Sequence, residues 1–346
     1  MDRRALLKLL QSGLVASAAS VAFPSLAIAG GEKKDKRPIA LLVPLTGPRA
    51  RLGLSMRQAA LLAESRYLLS FDTKGTADGA AAAATDALKK GVTVILGPLT
   101  AEEVPAVGST VAGRVPVISF SNDSVLRSPG VYIFGITAGQ VTSAILRYAR
   151  KRGVKHVAVI DDGTPWSAAA TVAAGQAEGE LGMRVRVLPV REGQPLPEVG
   201  EAPDAVLLPG YGAPVLAAAR ALRDTGIQLL GTVQGLDHRP EALDILDGAW
   251  LASPDPVAFA TFAREFEARN GGHPGAITAL AYDAAGITNT LREADGVTGE
   301  GLLDSAGFHC VTGPVRFRTD GSVARDFAIL VARPQGYESV AVSSGA

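Results

Sequence analysis

At 346 residues the chain is too long for one ordinary core and comfortable for two. A hydrophobic fraction of 47% and a mean hydropathy of +0.21 exclude a disordered chain. The formal charge is zero and aromatic residues make up 5%, so the basic stripe of a nucleic-acid binder and the aromatic platform of a sugar groove are both missing.

Residues 1–29 read as an export signal. Arg3-Arg4 within the first eight residues resembles the twin-arginine motif, with Asp2 where Ser or Thr is usual. Residues 9–26 are moderately apolar, and Ala27-Ile28-Ala29 satisfies the small-x-small cleavage rule. The stretch is short for a membrane span and contains Pro24. No cysteine near the cut can carry a lipid. The expected location is the periplasm, with no stable membrane insertion.

Beyond a charged leader, strand and helix alternate. Residues 38–44 predict a strand, 53–64 a helix, 67–72 a strand and 77–90 an Ala-rich helix. The β-branched run 92–96 ends at Gly97-Pro98, and Thr100 stands where an N-cap belongs before a helix over 101–111, with Glu102 and Glu103 in its first turn. Strands at 115–120 and 131–136 and a helix at 137–152 follow. The pattern then restarts, with strands at 156–160, 183–190, 205–208, 227–231 and 248–252. Helices at 167–181, 213–224 and 241–246 lie between them. Residues 191–203 read as a linker. Two helices, 256–270 and 277–294, precede a hairpin: Val315-Arg316-Phe317-Arg318 alternates, Asp320-Gly321 is a turn signal, and residues 326–331 form its second strand. Two such blocks predict an α/β fold of two doubly wound parallel-sheet lobes. No repeat of 20–50 residues relates the blocks, which are alike in topology only.

Specific catalytic signals are few. The four histidines lie far apart without i, i+4 partners, so no metal site and no cofactor is expected. Neither a Gly-x-Ser-x-Gly elbow nor a phosphate-binding P-loop occurs. Asp161-Asp162 sits on a loop where adjacent side chains point apart, which suits capping or solvation better than acid–base work. Cys310 is the only cysteine, so no intrachain disulfide forms, and its apolar neighbours read as a buried structural thiol. The chain is not expected to be an enzyme.

What recurs is a set of small, polar or aromatic loops at strand ends, where open α/β sheets bind ligands. They are Thr46-Gly47, Leu99-Thr100-Ala101, Ser121-Asn122-Asp123, Thr164-Pro165-Trp166, Gly210-Tyr211-Gly212 and Gln234-Gly235. Hydroxyls and helix N-termini there suit a carboxylate, and Trp166 and Tyr211 can wall an apolar group.

The order and spacing of several phrases resemble type I periplasmic binding proteins of the leucine/isoleucine/valine-binding type. These phrases are Ile39 to Gly47, Asp72-Thr73-Lys74-Gly75-Thr76, Gly91 to Pro98, Pro116-Val117-Ile118-Ser119 and Ala281-Tyr282-Asp283-Ala284. The resemblance implies two lobes joined by three crossovers near 136–140, 252–256 and 311–315. One lobe would comprise 36–137 plus 256–311, the other 138–255 plus 312–346. It implies a ligand site at Thr100, Ala101, Ser121, Asn122, Asp123, Trp166, Tyr211 and Gln234. It also implies a small-molecule ligand, an amino acid or related carboxylate, trapped by hinge closure and handed to an ABC transporter permease. Gln234 departs from the carboxylate that amino-acid binders use for the α-ammonium group, and the usual disulfide is absent. Val117 to Asp123, Leu230-Gly231-Thr232, Ala252 to Pro256 and Phe317 to Gly321 are similar to penicillin-binding-protein activators. That subgroup implies the alternative, a regulator of peptidoglycan synthesis whose partner is a cell-wall synthase.

Overall fold

The structure, a computed structural model, describes residues 35–191, 201–294 and 296–345. The export signal and most of the stretch read as a linker lie outside them. Strands β1 (Ile39–Val43), β2 (Leu68–Asp72), β3 (Ile95–Leu96), β4 (Val117–Ser119) and β5 (Val131–Ile133) form a parallel sheet in the order β2-β1-β3-β4-β5. Helices α1 (Ala50–Ala63), α2 (Ala77–Lys89) and α3 (Val104–Val111) connect them. β1 lies between β2 and β3 and is buried along its whole length, which is why it reads Ile-Ala-Leu-Leu-Val without alternation. At the end of β3 only glycine fits: Gly97 has φ +111°, and a Cβ there would lie 2.1 Å from the Leu42 carbonyl oxygen.

The chain then enters α4 (Ala138–Lys151), whose first turn is closed by a reciprocal pair. Thr137 Oγ1 accepts from the Gln140 N–H at 3.1 Å, and the Gln140 side chain accepts from the Thr137 N–H at 3.0 Å. Next come β6 (His156–Asp161), α5 (Pro165–Leu181), β7 (Arg184–Pro189), β8 (Ala205–Leu208), α6 (Ala213–Leu222), β9 (Gln228–Gly231), α7 (Pro240–Ile245) and β10 (Trp250–Ser253). Their order, β7-β6-β8-β9-β10, repeats that of the first sheet, and all pairs are parallel. Edge strand β7 keeps Arg184 and Arg186 on its exposed positions, a charge pattern that discourages further pairing.

After β10 come α8 (Pro256–Asn270), α9 (Ala276–Glu293) and a short α10 (Gly299–Leu302). α8 and α9 pack on α1 through Phe262, Phe266 and Ala279 against Ala59, and Asn289 Nδ2 donates to the Ala63 carbonyl at 2.6 Å. The chain ends in β11 (Val315–Phe317), β12 (Val323–Arg333) and β13 (Gly336–Gly345), all antiparallel, with β12 joined to β10. The fold is thus α/β with one parallel and one mixed sheet. The sequence reading anticipates the β11–β12 hairpin but not β13, which follows the turn Pro334-Gln335-Gly336.

The hairpin tip reaches the first sheet. Ile133 N–H donates to the Gly321 carbonyl at 3.1 Å, Arg127 pairs with Asp320 at 3.4 Å, and Phe317 stacks on Phe134. The two sheets are therefore joined beyond the backbone connections alone.

Candidate functional site

Both sheets present their carboxyl edges to one cleft of about 280 Å³. The loops after β3 and β4 supply Thr100, Ala101, Ser121 and Asn122. The loops after β6 and β9 supply Trp166 and Gln234. Six of the eight residues picked from sequence thus share one cavity. Asp123 and Tyr211 do not line it.

Each wall is positioned by hydrogen bonds that use up its most polar groups. Glu103, fully buried, takes the Thr100 N–H at 2.8 Å and the Thr100 hydroxyl at 2.9 Å on Oε2. Ser119 Oγ donates to the Pro98 carbonyl at 3.2 Å and accepts the Ser121 N–H at 3.1 Å, which sets the turn after β4. Ser121 Oγ in turn accepts the Asp123 N–H at 3.2 Å, and Asp123 Oδ1 accepts from Val125 N–H at 3.2 Å. Asp123 is therefore a local cap of a helical turn at residues 124–126.

On the other side the Pro209 carbonyl joins three loops. It accepts the Trp166 indole N–H at 2.9 Å and the Thr232 hydroxyl at 2.7 Å, and Thr232 Oγ1 accepts the Gln234 N–H at 3.3 Å. The Trp166 ring is held with its polar edge satisfied and its hydrocarbon surface facing the cleft residues. Asp161 and Asp162 turn into their own loop. Asp162 Oδ1 accepts the Thr164 N–H and hydroxyl at 3.0 and 2.7 Å, and Asp161 Oδ1 accepts the Ser167 hydroxyl at 2.9 Å. Thr46 is spent in the same way: its hydroxyl donates to Asp72 Oδ2 at 2.6 Å.

The remaining walls are apolar: Phe120, Ile136, Val233, Ile277 and Leu280. Sequence reading missed these. Ile277 and Leu280 sit three apart at the start of α9, a spacing that marked them only as one helical face. Ile136 lies where the chain leaves the first sheet.

None of the described residues lining the cleft is ionisable. Asn122 and Gln234 make no side-chain hydrogen bond to the described residues, so their amides are free to meet a ligand, as is the Ser121 O–H proton. The other oxygen of Glu103, Oε1, is buried and unpartnered among the described residues but does not reach the cleft surface. No described cluster of His, Cys, Asp and Glu can hold a metal ion. Cys310 sits beside Asp283, and burial pushes its thiol up. No described helix is long and apolar enough to cross a membrane.

Tyr211, 67% exposed, instead lines a second cavity of about 290 Å³, and Gln234 borders both.

Solved structures with this architecture are numerous. A protein of Rhodospirillum rubrum described as a branched-chain amino acid ABC transporter superposes with a TM-score of 0.74 at 23% identity, over 88% of this chain and all of that one. A solute-binding protein of an ABC transporter from Rhodopseudomonas palustris BisB5, in complex with 3,4-dihydroxybenzoic acid, gives 0.60 at 18%, over 89% and 96%. The C-domain of LpoA from Haemophilus influenzae, a regulator of PBP1A, gives 0.70 at 14%, over 88% and 100%. A search of curated proteins by sequence found no match. The model of the periplasmic binding protein family matches residues 37–337, and the chain belongs to that family.

Proposed function

We propose that this chain is the soluble periplasmic receptor of an ABC importer, a binding protein and not an enzyme, whose ligand is a small carboxylate without an ammonium group. The observation that carries this is the cleft lining: hydroxyl and amide donors, apolar walls, and no ionisable side chain among the described residues. Neutral donors at Ser121, Asn122 and Gln234 satisfy a carboxylate. An ammonium brought to the same wall loses water and gains no contacting counter-charge, at a cost of several kcal/mol. The carboxylates near the site loops are engaged elsewhere: Asp123 and Asp162 as loop caps, Glu103 with the Thr100 N–H and hydroxyl, and Glu102 with Arg49 at 3.7 Å. The Rhodopseudomonas relative, solved with an aromatic acid, is consistent with this reading. Among the described residues no ionisable side chain lines the cleft around Ser121, so no general base faces that hydroxyl from the cleft. Closure would bring residues 36–137 plus 256–311 against 138–255 plus 312–346, with ligand contacts favouring the closed state.

A thermal-shift screen tests the reading. A ligand present at about 100 times its dissociation constant adds about 2.7 kcal/mol. Aliphatic or aromatic monocarboxylates should raise the melting temperature, and Ser121→Ala and Trp166→Ala should abolish the rise. The likeness to LpoA carries a second reading, a regulator of a cell-wall synthase acting through its surface. That reading requires no shift with any carboxylate and binding of a synthase that Ser121→Ala leaves intact.

A further inference from the structure

The cavity beside Tyr211 is the least explained feature of the second sheet. It opens at the carboxyl edges of β8 and β9, under α6 and α7. Its floor is Leu208, Leu229 and Leu251, all buried, and Val215, Leu216 and Leu246 complete the walls. It is open to solvent, and its volume of about 290 Å³ exceeds the roughly 150 Å³ that suffices to bind benzene in an apolar cavity. Gly231 lets Leu251 pack closely on β9 at the pocket wall: a Cβ there would lie 3.0 Å from the Leu251 side chain.

Its rim is polar but electrically closed on itself. Arg239 donates to both oxygens of Asp237, and Tyr337 Oη accepts the Asp237 N–H at 2.9 Å and donates to its carbonyl at 3.1 Å. No rim charge is left to attract a charged head group, so the chemistry suits an uncharged hydrocarbon chain. Gln234 stands on the border with the cleft, its side-chain amide available to the polar end.

We infer that this Leu-lined cavity receives the apolar tail of the same ligand whose carboxylate sits in the cleft, which makes the cargo an elongated amphipathic monocarboxylate. The inference rests on the carboxylate reading above and extends it from a head group to a ligand class. Tyr211 then lies along the tail and not over the head.

The test is calorimetric titration of the chain with butanoate and octanoate. Each buried methylene is worth about 0.8 kcal/mol, about fourfold in affinity, so octanoate, with four more methylenes, should bind about 250-fold tighter than butanoate. Leu216→Trp and Val215→Phe, which fill the cavity from two sides, should each cut that ratio below about tenfold while leaving butanoate unchanged. Two variants guard against one failing to fold. A ratio near one, with butanoate binding still abolished by Ser121→Ala, overturns the tail site and leaves the carboxylate cleft standing. A large ratio that neither filled variant reduces also overturns it. No binding of either acid overturns both readings.

Discussion

Arg325 Nη2 donates to the Phe134 carbonyl at 2.7 Å, and its guanidinium lies 4.8 Å from the centroid of the Phe134 ring. β12, in the second sheet, is thereby fastened to the segment where the chain leaves the first. Arg325 is fully buried, and its Nη1 donates to Thr312 Oγ1, whose hydroxyl donates to Asp283 Oδ2 at 2.5 Å. Asp283 also accepts the Val311 and Thr312 N–H groups at 2.8 and 3.0 Å. One polar network thus ties α9, the entry to β11, β12 and the exit from β5.

Breaking this network should be costly. Arg325→Met removes the buried cation near Asp283 and leaves the Phe134 carbonyl and Thr312 Oγ1 without their donor, so a loss of about 3 kcal/mol is expected. Thr312→Val should cost about 1–2 kcal/mol, since it removes the hydroxyl that links acid and base. The two losses should fall short of additive in a double mutant. Urea midpoints measure all three, and additive losses would mean the residues act separately.

The loop after β1 carries a pH signature. Burial, the largest single influence on Asp72, pushes its carboxyl up. The hydrogen bond from Thr46 Oγ1, with those from the Lys74, Leu45 and Thr46 N–H groups, outweighs burial and holds it below the usual carboxylate value. A carboxyl lowered on folding stabilises the native state above its unfolded value of about 3.9 and stops doing so as pH falls through the folded value. Asp72→Asn should therefore cost about 1 kcal/mol at neutral pH, the low end because the group is part exposed. The difference from the native chain should shrink as pH falls below about 3.9 and through the lowered folded value. A difference that stays constant as the carboxylates titrate in acid would contradict the assignment.

Gly97→Ala should be far worse than an ordinary loop substitution. The left-handed backbone and the contact with the Leu42 carbonyl both oppose a Cβ, for a combined loss of at least about 2 kcal/mol. Thermal melting measures it, and a change under 0.5 kcal/mol, roughly that of a neutral surface site, would refute it.

Much of this was legible before any coordinates. Residues 38–44 and 205–208 read as strands, and β1 and β8 are buried along their whole length because central parallel strands are covered on both faces. Thr100, Ser121, Trp166 and Gln234 were found because strand ends at the carboxyl edge are few and their loops are short. Tyr211 was placed with them because it occupies the same kind of loop, but the loop directs it to the neighbouring cavity. Ile136, Ile277 and Leu280 were not found, since apolar residues near element ends carry no local mark separating a cleft wall from a core contact. β13 escaped because its exposed face mixes Glu338, Ser339 and Val342 without a clean period of two, and the register shift between Ile329 and Leu330 interrupts its pairing.

The central claim is that the cleft accepts a carboxylate and rejects an ammonium. Leucine and isocaproate, its analogue lacking the amino group, differ in that group alone, so calorimetric titration with each tests the claim directly. The account predicts that isocaproate binds about 100-fold tighter, the equivalent of roughly 2.7 kcal/mol for an ammonium desolvated without a partner. Leucine binding as tightly as isocaproate, or more tightly, would contradict it.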